Sequence, residues 1–462
     1  MEGVDNMILS TKGVIVVALL GLYLGNAAHA SEAVPHRESF VYLLASSLST
    51  FDTPTSAGYI RKLRSEGGCE LVPLQMATQP MDDVPKSCVA DRSARLLYVV
   101  PAGSLQKANS VQRFRVDAHG NLARLPWFNH QDLRAYKLAL SPDGRHLLTL
   151  GGSLDTLTMY SISENGQLFQ LSRWKRPPVP ISGNGIRQKK ASLALLTDIS
   201  VNWSDWSVYA LENHPLNTDD TVLLQLHISP SFSLSPISPL QIPSKGAEGL
   251  LLDSVNKVAY ITTNRGGLLQ YSIGRGGQLA CRNIAASEFG QEESESAQAQ
   301  KNSNGDLLPI PLTHTPKVSP VRIRCLVLDS AHSLLFGVGG IHNNEIDIWH
   351  VTSEGVGHIL KRQWFDDSGS ISETDAAENS NESGVSSAAD LTFPSVAIGL
   401  NGASLYIAKC SVKQDAISKI GSKLYCFRIQ QGDNIEIEAC DHNNFLELGD
   451  TLVSAISVFD NH

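Results

Sequence analysis

One pattern of apolar and polar positions recurs along the chain, and it predicts strands throughout. Its clearest copy runs Leu138-Ala139-Leu140-Ser141-Pro142-Asp143-Gly144-Arg145-His146-Leu147-Leu148-Thr149-Leu150, then Met159-Tyr160-Ser161-Ile162 and Gly166-Gln167-Leu168. An apolar run, a polar turn, a second apolar run and, after a variable loop, an alternating strand that ends at a glycine are strand and hairpin signals in series. A second copy reads Val89-Ala90-Asp91-Arg92-Ser93, Leu96–Val100, Val111–Val116 and Gly120-Asn121-Leu122. Others begin at Leu250, Leu326 and Val396. A degenerate copy lies at Leu193-Ala194-Leu195, Val208–Leu211 and Leu223–Ile228.

The third strands carry an aromatic two residues before a β-branched residue: Phe114 and Val116, Tyr160 and Ile162, Tyr271 and Ile273, Trp349 and Val351, Phe427 and Ile429. An aromatic at a fixed alternating position predicts packing between neighbouring sheets. At the N-terminus the pattern starts in the middle, with Phe40–Leu44 and Gly58–Leu63, and the missing first strand is supplied at the other end by Val453–Asp460. Seven units of about four strands, closed in this way, predict an all-β, seven-bladed β-propeller whose C-terminal strand joins the N-terminal blade. Closure leaves each sheet only short, protected edges. Units that bury a face only against their neighbours also make one closed domain the expectation for 462 residues.

Residues 1–30 stand apart from the repeats. Lys12, an apolar stretch from Val14 to Leu24, and the small-x-small run Ala28-His29-Ala30 predict a secretory signal peptide, with Met7 as a second candidate start. The stretch is shorter than the roughly 20 residues of a spanning helix. The mature chain is therefore expected in the periplasm or outside the cell, without an integral membrane span.

The formal charge of −9 reflects two inserts more than the blades. One, about 287–306, contains Glu288, Glu292, Glu293 and Glu295; the other, about 366–390, contains Asp366, Asp367, Glu373, Asp375, Glu378, Glu382 and Asp390 and no base. Such composition predicts disordered loops. Without those acids the body is near neutral, which argues against a nucleic-acid partner.

The seven cysteines would meet an oxidising compartment after export. Cys69 and Cys88 flank the junction of units one and two, and Cys281 and Cys325 the comparable junction of units five and six, so a disulfide at each junction is expected. Cys410, Cys426 and Cys440 lie in the last unit, where one pair and one thiol would fit; buried small residues are the alternative reading for all seven.

The sequence has no Gly-x-Ser-x-Gly, no phosphate-cradling glycine loop and no Cys-x-x-Cys-His, and its histidines are scattered, so neither cofactor nor metal is expected. One constellation remains. Positions just before the first strands, which crowd a propeller's channel mouth, are rich in base: Lys137, Lys189 and Lys190, Lys245, Arg322 and Arg324, with Glu248 as an acid in the same ring. Converging cations would hold a carboxylate or phosphate and stabilise an oxyanion; a solvated rim is the plain alternative.

The phrase at Leu138–Leu150, followed by Tyr160–Leu168, and the ending Val453–His462 resemble the seven-bladed lactonase family, which includes propeller-type 6-phosphogluconolactonases and carboxy-muconate lactonising enzymes. The resemblance covers roughly residues 38–462. It implies lactone hydrolysis or lactonising isomerisation, with His or an Arg-His pair ahead of first strands in the middle blades. At those stretches this chain has Lys189-Lys190-Ala191-Ser192 and Ala247-Glu248-Gly249, and in blade six Arg322 and Arg324. The reading is an exported, monomeric lactonase-like propeller, without the family's usual catalytic set, that works as a binding or interaction module for a small anionic ligand or an envelope protein. The second reading is an active periplasmic lactonase or cycloisomerase that holds its substrate on Lys190, Arg322 and Arg324, with Glu248 as acid or base.

Overall fold

Each inner strand touches the next around a closed circuit. In a computed structural model of the chain, Thr451–Asp460, Pro85–Asp91, Ala135–Leu140, Leu195–Asn202, Ala247–Asp253, Ile323–Asp329 and Ser395–Ile398 follow one another and return to Thr451–Asp460. Each inner strand opens an antiparallel sheet, and the seven sheets are the blades of a β-propeller. Blade one takes its inner strand from the C-terminus: Val41 lies opposite Val458 and Leu43 opposite Ile456. The described residues lie between 39 and 460; 1–38, 178–194, 282–322, 373–390, 461–462 and shorter loop stretches are outside them. The predicted signal peptide and first acidic insert fall outside. Of the second insert, Ile371 and Ser372 pair with Phe365 and Trp364, so this part extends blade six as a strand where a disordered loop was expected.

The packing explains the repeated phrase. Seven apolar clusters form, one between each pair of neighbouring blades. In blade two, Leu97 and Val99 pack toward blade one, whereas Leu96, Tyr98 and Val100 pack toward blade three. Successive side chains of a strand point to opposite faces. A strand sandwiched between two blades must therefore be apolar at every position, and Leu96–Pro101 is buried throughout. The third-strand aromatics face the preceding blade, as expected: Phe114 reaches blade one, Tyr160 blade two, Trp349 blade five and Phe427 blade six.

A second aromatic series runs the other way. Tyr42, Tyr98, Tyr209, Tyr260 and Tyr406, all on second strands, face the following blade. The Tyr42 hydroxyl donates to the Gly120 carbonyl of blade two at 2.6 Å, Tyr209 to the Gly277 carbonyl of blade five at 2.8 Å, and Tyr406 bonds Ser65 of blade one at 3.0 Å. Burying a hydroxyl costs less with a partner, and for these three the partner is the neighbouring blade.

Glycine is required where turns meet the preceding blade. Gly144 has φ +67°, and a Cβ there would lie 2.3 Å from Asp91 Oδ2; Gly402 has φ +66°, and its Cβ would lie 2.2 Å from Asp329 Oδ2. Asp91 and Asp329 end the inner strands of the preceding blades and cap their own turns, Asp91 by accepting from Ala94 N at 2.9 Å and Asp329 from Ala331 N at 3.1 Å. The Ser-Pro-Asp-Gly-Arg turn is thus a contact between blades as well as a hairpin.

The degenerate unit is a full blade, and its inner strand Leu195–Asn202 includes the last residue of the apolar run Leu193–Leu195, whose first two residues lie outside the described residues. Two of the expected disulfides are absent: Cys88 is a free thiol, pushed up to about 12 by burial, and Cys325 keeps its thiol as well. Each belonged to one junction pair, so neither pairing forms. Cys69 lies outside the described residues. In blade seven Cys440 is disulfide-bonded, while Cys426 remains a thiol that burial pushes up.

Candidate binding site at the channel mouth

The inner strands share one irregularity. In each of six, the pairing with the second strand slips by one residue, leaving a β-bulge: Lys86, Tyr136, Thr197, Glu248, Arg324 and Ser454 have no opposite number. In blades two to six the bulge falls five residues before the residue that begins the hairpin turn, namely Asp91, Ser141, Asn202, Asp253 and Asp329. A bulge bends its strand and re-aims the extra side chain, and bulges cluster at barrel rims and functional sites. Here they form a ring near the start of the inner strands.

Two of the predicted site residues, Glu248 and Arg324, occupy this bulge position on inner strands that touch each other. Lys86 holds the same position in blade two. Around a seven-membered ring, blade two lies across from blades five and six, so one wall of the mouth carries Lys86 and the other the Glu248 and Arg324 positions. Lys190, Lys245 and Arg322 lie outside the described residues.

Lys137 follows the bulge of blade three. Its ammonium lies 2.9 Å from Asp198 Oδ1 of blade four, with the lysine side chain 39% exposed and the aspartate 9%. Asp198 was not anticipated. Its Oδ1 also accepts from Ile199 N at 2.9 Å, and its Oδ2 accepts from Leu250 N of blade five at 3.1 Å. One carboxylate therefore ties three blades together. Burial works against the charge of Lys137, but the Asp198 carboxylate, by its charge and its hydrogen bond, holds the pKa above the ordinary value. Lys137 is a charged group that already has an anion beside it.

A polar network continues around this end. Asn213 Nδ2 donates to Thr197 Oγ1 at 3.1 Å and to the Ala247 carbonyl at 2.9 Å, while Thr221 Oγ1 donates to Asn213 Oδ1 at 3.0 Å. Thr197 is the bulge residue of blade four, so hydrogen bonds from the second strand and from the next blade fix this part of the ring. Among the described residues no group of three His, Cys, Asp or Glu converges as a metal site, and no helix is long and apolar enough to cross a membrane.

The overall fold has counterparts among solved structures. The chain is similar in fold to propeller-type lactonases. A Bacteroides fragilis protein described as a "putative 6-phosphogluconolactonase" superposes with TM-score 0.56 at 14% identity, covering 93% of this chain and 100% of its own. The periplasmic gluconolactonase of Pseudomonas aeruginosa gives 0.53 at 14% identity, over 91% and 99% of the two chains. A hypothetical selenium-binding protein of Sulfolobus tokodaii gives 0.56 at 11% identity, over 94% and 96%. No protein-family model and no curated protein matches the sequence. At these identities the likeness is one of fold, and propellers of one architecture carry unrelated activities.

The bulge ring itself was legible in retrospect. A residue five positions before each turn Asp, Asn or Ser can be read from the sequence, and it groups Lys86 with Glu248 and Arg324. Asp198 gives no such signal, because its partners come from three blades.

Proposed function

We propose that the protein is an exported, monomeric lactonase-like propeller whose bulged channel mouth binds a small anionic ligand, and that it works as a binding or interaction module. The observation that carries this reading is the shared bulge position. It gives Lys86 on one wall and Arg324 beside Glu248 on the other the same placement at the rim of one concave opening. Basic residues placed at equivalent positions around one rim raise the local positive potential, which attracts a carboxylate or phosphate. Lys190, Lys245 and Arg322 would add to the same field from the loops that precede the inner strands.

Export is supported by the apolar stretch Val14–Leu24 with Ala28-His29-Ala30, and by the disulfide at Cys440, since disulfides persist in oxidising compartments. A structural neighbour named as a periplasmic gluconolactonase is consistent with that location.

The same bulge position of Glu248 and Arg324 on neighbouring inner strands favours a second reading, lactone hydrolysis or lactonising isomerisation, in which the acid would serve as general acid or base and the cation would stabilise an oxyanion. Binding of gluconate and 6-phosphogluconate to the mature chain, measured by calorimetry together with turnover of glucono-1,5-lactone, separates the two. Binding that weakens at least tenfold in Lys86→Ala and Arg324→Ala, without turnover, supports the module. Turnover abolished by Glu248→Gln supports the enzyme. No binding of either anion at millimolar concentration sinks both.

A further inference from the structure

We infer that Lys137, held in place by Asp198, is the donor that discriminates among anions entering the mouth: it takes a neutral oxygen of the ligand, a hydroxyl or carbonyl, and not the ligand's charge. This rests on the channel mouth being the anion site, as proposed above, and gives that site its specificity.

Asp198 is anchored at three points. Its Oδ1 accepts from Lys137 Nζ and from Ile199 N, both at 2.9 Å, and its Oδ2 accepts from Leu250 N of blade five at 3.1 Å. Two backbone groups of neighbouring inner strands fix the carboxylate, and the carboxylate fixes the ammonium. A free lysine stem loses rotamer freedom when it meets a ligand, whereas here that loss is taken on folding. Burial opposes the charge of the ammonium, and the Asp198 carboxylate overcomes it, so the donor stays protonated.

An ammonium has three N–H groups, and one goes to Asp198. The lysine side chain is 39% exposed and the aspartate 9%, so a ligand meets the cationic half of the pair. Lys137 and Asp198 directly follow the bulges of blades three and four, and Gly249 holds that position in blade five. A Cβ at Gly249 would meet only Thr262 Oγ1 within 4 Å among the described residues, and no side chain fills that place beside the pair.

The pair carries no net charge, which decides what it can hold. A carboxylate or phosphate brought to Lys137 would also approach Asp198, and repulsion would offset the attraction. A hydroxyl or carbonyl oxygen meets the donor without that penalty, and a hydrogen bond from a charged donor is among the stronger ones. The ligand's charge then falls to the bulge positions, Lys86 on the inner strand that touches that of Lys137, and Arg324 in blade six. Asp198 is a positioning residue, acting through Lys137.

Calorimetry with gluconate and hexanoate, two carboxylates of equal chain length that differ in their hydroxyls, separates these roles. The mature parent chain should bind gluconate about tenfold more tightly than hexanoate, and Lys137→Met should remove that preference while leaving hexanoate unchanged. Asp198→Asn relieves the ammonium of its counter-charge, so it should tighten hexanoate and narrow the ratio from the other side. A merely structural role for Asp198 would weaken both ligands together. Acetylation of lysines on the parent chain gives a readout that no folding defect can affect: gluconate should slow modification of Lys137 and hexanoate should not. A parent without preference, a preference that survives Lys137→Met, equal weakening in Asp198→Asn, or equal protection of Lys137 by the two acids would overturn the inference and leave the anion site standing. A parent that binds neither acid removes the anion site and this inference with it.

Discussion

The Lys137 ammonium of blade three lies 2.9 Å from the Asp198 carboxylate of blade four, and the same carboxylate accepts the Leu250 N–H of blade five. Removing the acid breaks an ion pair and leaves two backbone N–H groups without their acceptor. Asp198→Ala should cost about 2 kcal/mol in urea unfolding, because Lys137 is partly exposed and its charge is screened. Asp198→Asn, which retains an acceptor oxygen, should recover about half of that loss. Equal costs for the two substitutions would show that the charge, and not the hydrogen bonding, holds the blades.

Gly144 and Gly276 separate backbone strain from crowding. Both have positive φ, at +67° and +72°, but a Cβ at Gly144 would collide with Asp91 whereas one at Gly276 meets nothing within 4 Å. The left-handed conformation alone should make Gly276→Ala cost about 1 kcal/mol. Crowding should add about 2 kcal/mol in Gly144→Ala. Chemical denaturation of the two variants gives the comparison directly, and an equal loss in both would remove the contact between turn and preceding blade from the account.

Arg176 and Glu212 form a largely buried, bidentate pair across blades three and four, with Arg176 Nε and Nη2 donating to the two carboxylate oxygens. Removing one partner strands a buried charge, so Glu212→Ala should cost about 3 kcal/mol or more. The double variant Arg176→Met with Glu212→Leu should regain most of that stability, since an apolar pair of similar size avoids the desolvation penalty. A double variant no more stable than the single one would count against this balance.

His146 begins the second strand of blade three and packs against Trp203, Trp206 and Phe232 of blade four, with ring centroids 6.4, 5.4 and 5.0 Å away. Burial lowers its pKa; Asp143 partly offsets this, and Arg145 adds to it. The folded state therefore favours the neutral ring. This contribution is intact above the unfolded value of about 6.5 and declines as pH falls through it toward the lower folded value. His146→Phe should flatten that part of the Tm profile between about pH 7 and pH 5. An unchanged slope would mean that other groups set it.

Trp206 and Phe232 of the same cluster adopt positive φ, +56° and +61°, where bulky residues are rarely found. Phe232 closes its turn on Ser229 N-terminal to it, as Gly120 does on Asp117 and Gly166 on Ser163. Blade four thus accepts backbone strain at a position where its neighbours use glycine, and the rings it gains cover His146.

How far the sequence could be read depended on where a strand sits in its blade. Middle strands are buried on both faces, so they appear as unbroken apolar runs such as Leu96–Val100 and were recognised directly. Inner strands face a channel on one side and tolerate Thr197, Asp198 and Ser200, which is why the apolar run Leu193–Leu195 does not reveal that the inner strand of blade four continues to Asn202. The pairing of Cys69 with Cys88 and of Cys281 with Cys325 failed for a related reason. Sequence junctions resemble one another in every repeat, whereas disulfide geometry depends on a separation in space that the repeat does not specify.

By itself, the sequence determined the number of blades, the closure by the C-terminal strand and the aromatic slots between sheets, because alternation with period two and a recurring turn are local properties that each unit must satisfy. It also placed Glu248 and Arg324 ahead of their turns. Only the tertiary structure decided that both occupy the same bulge on adjacent inner strands, that Lys86 lies across the ring from them, and that Asp198 draws Lys137 and Leu250 together. Those relationships join residues from different blades. They arise when seven similar sheets close into a circle, and no spacing along the chain records them.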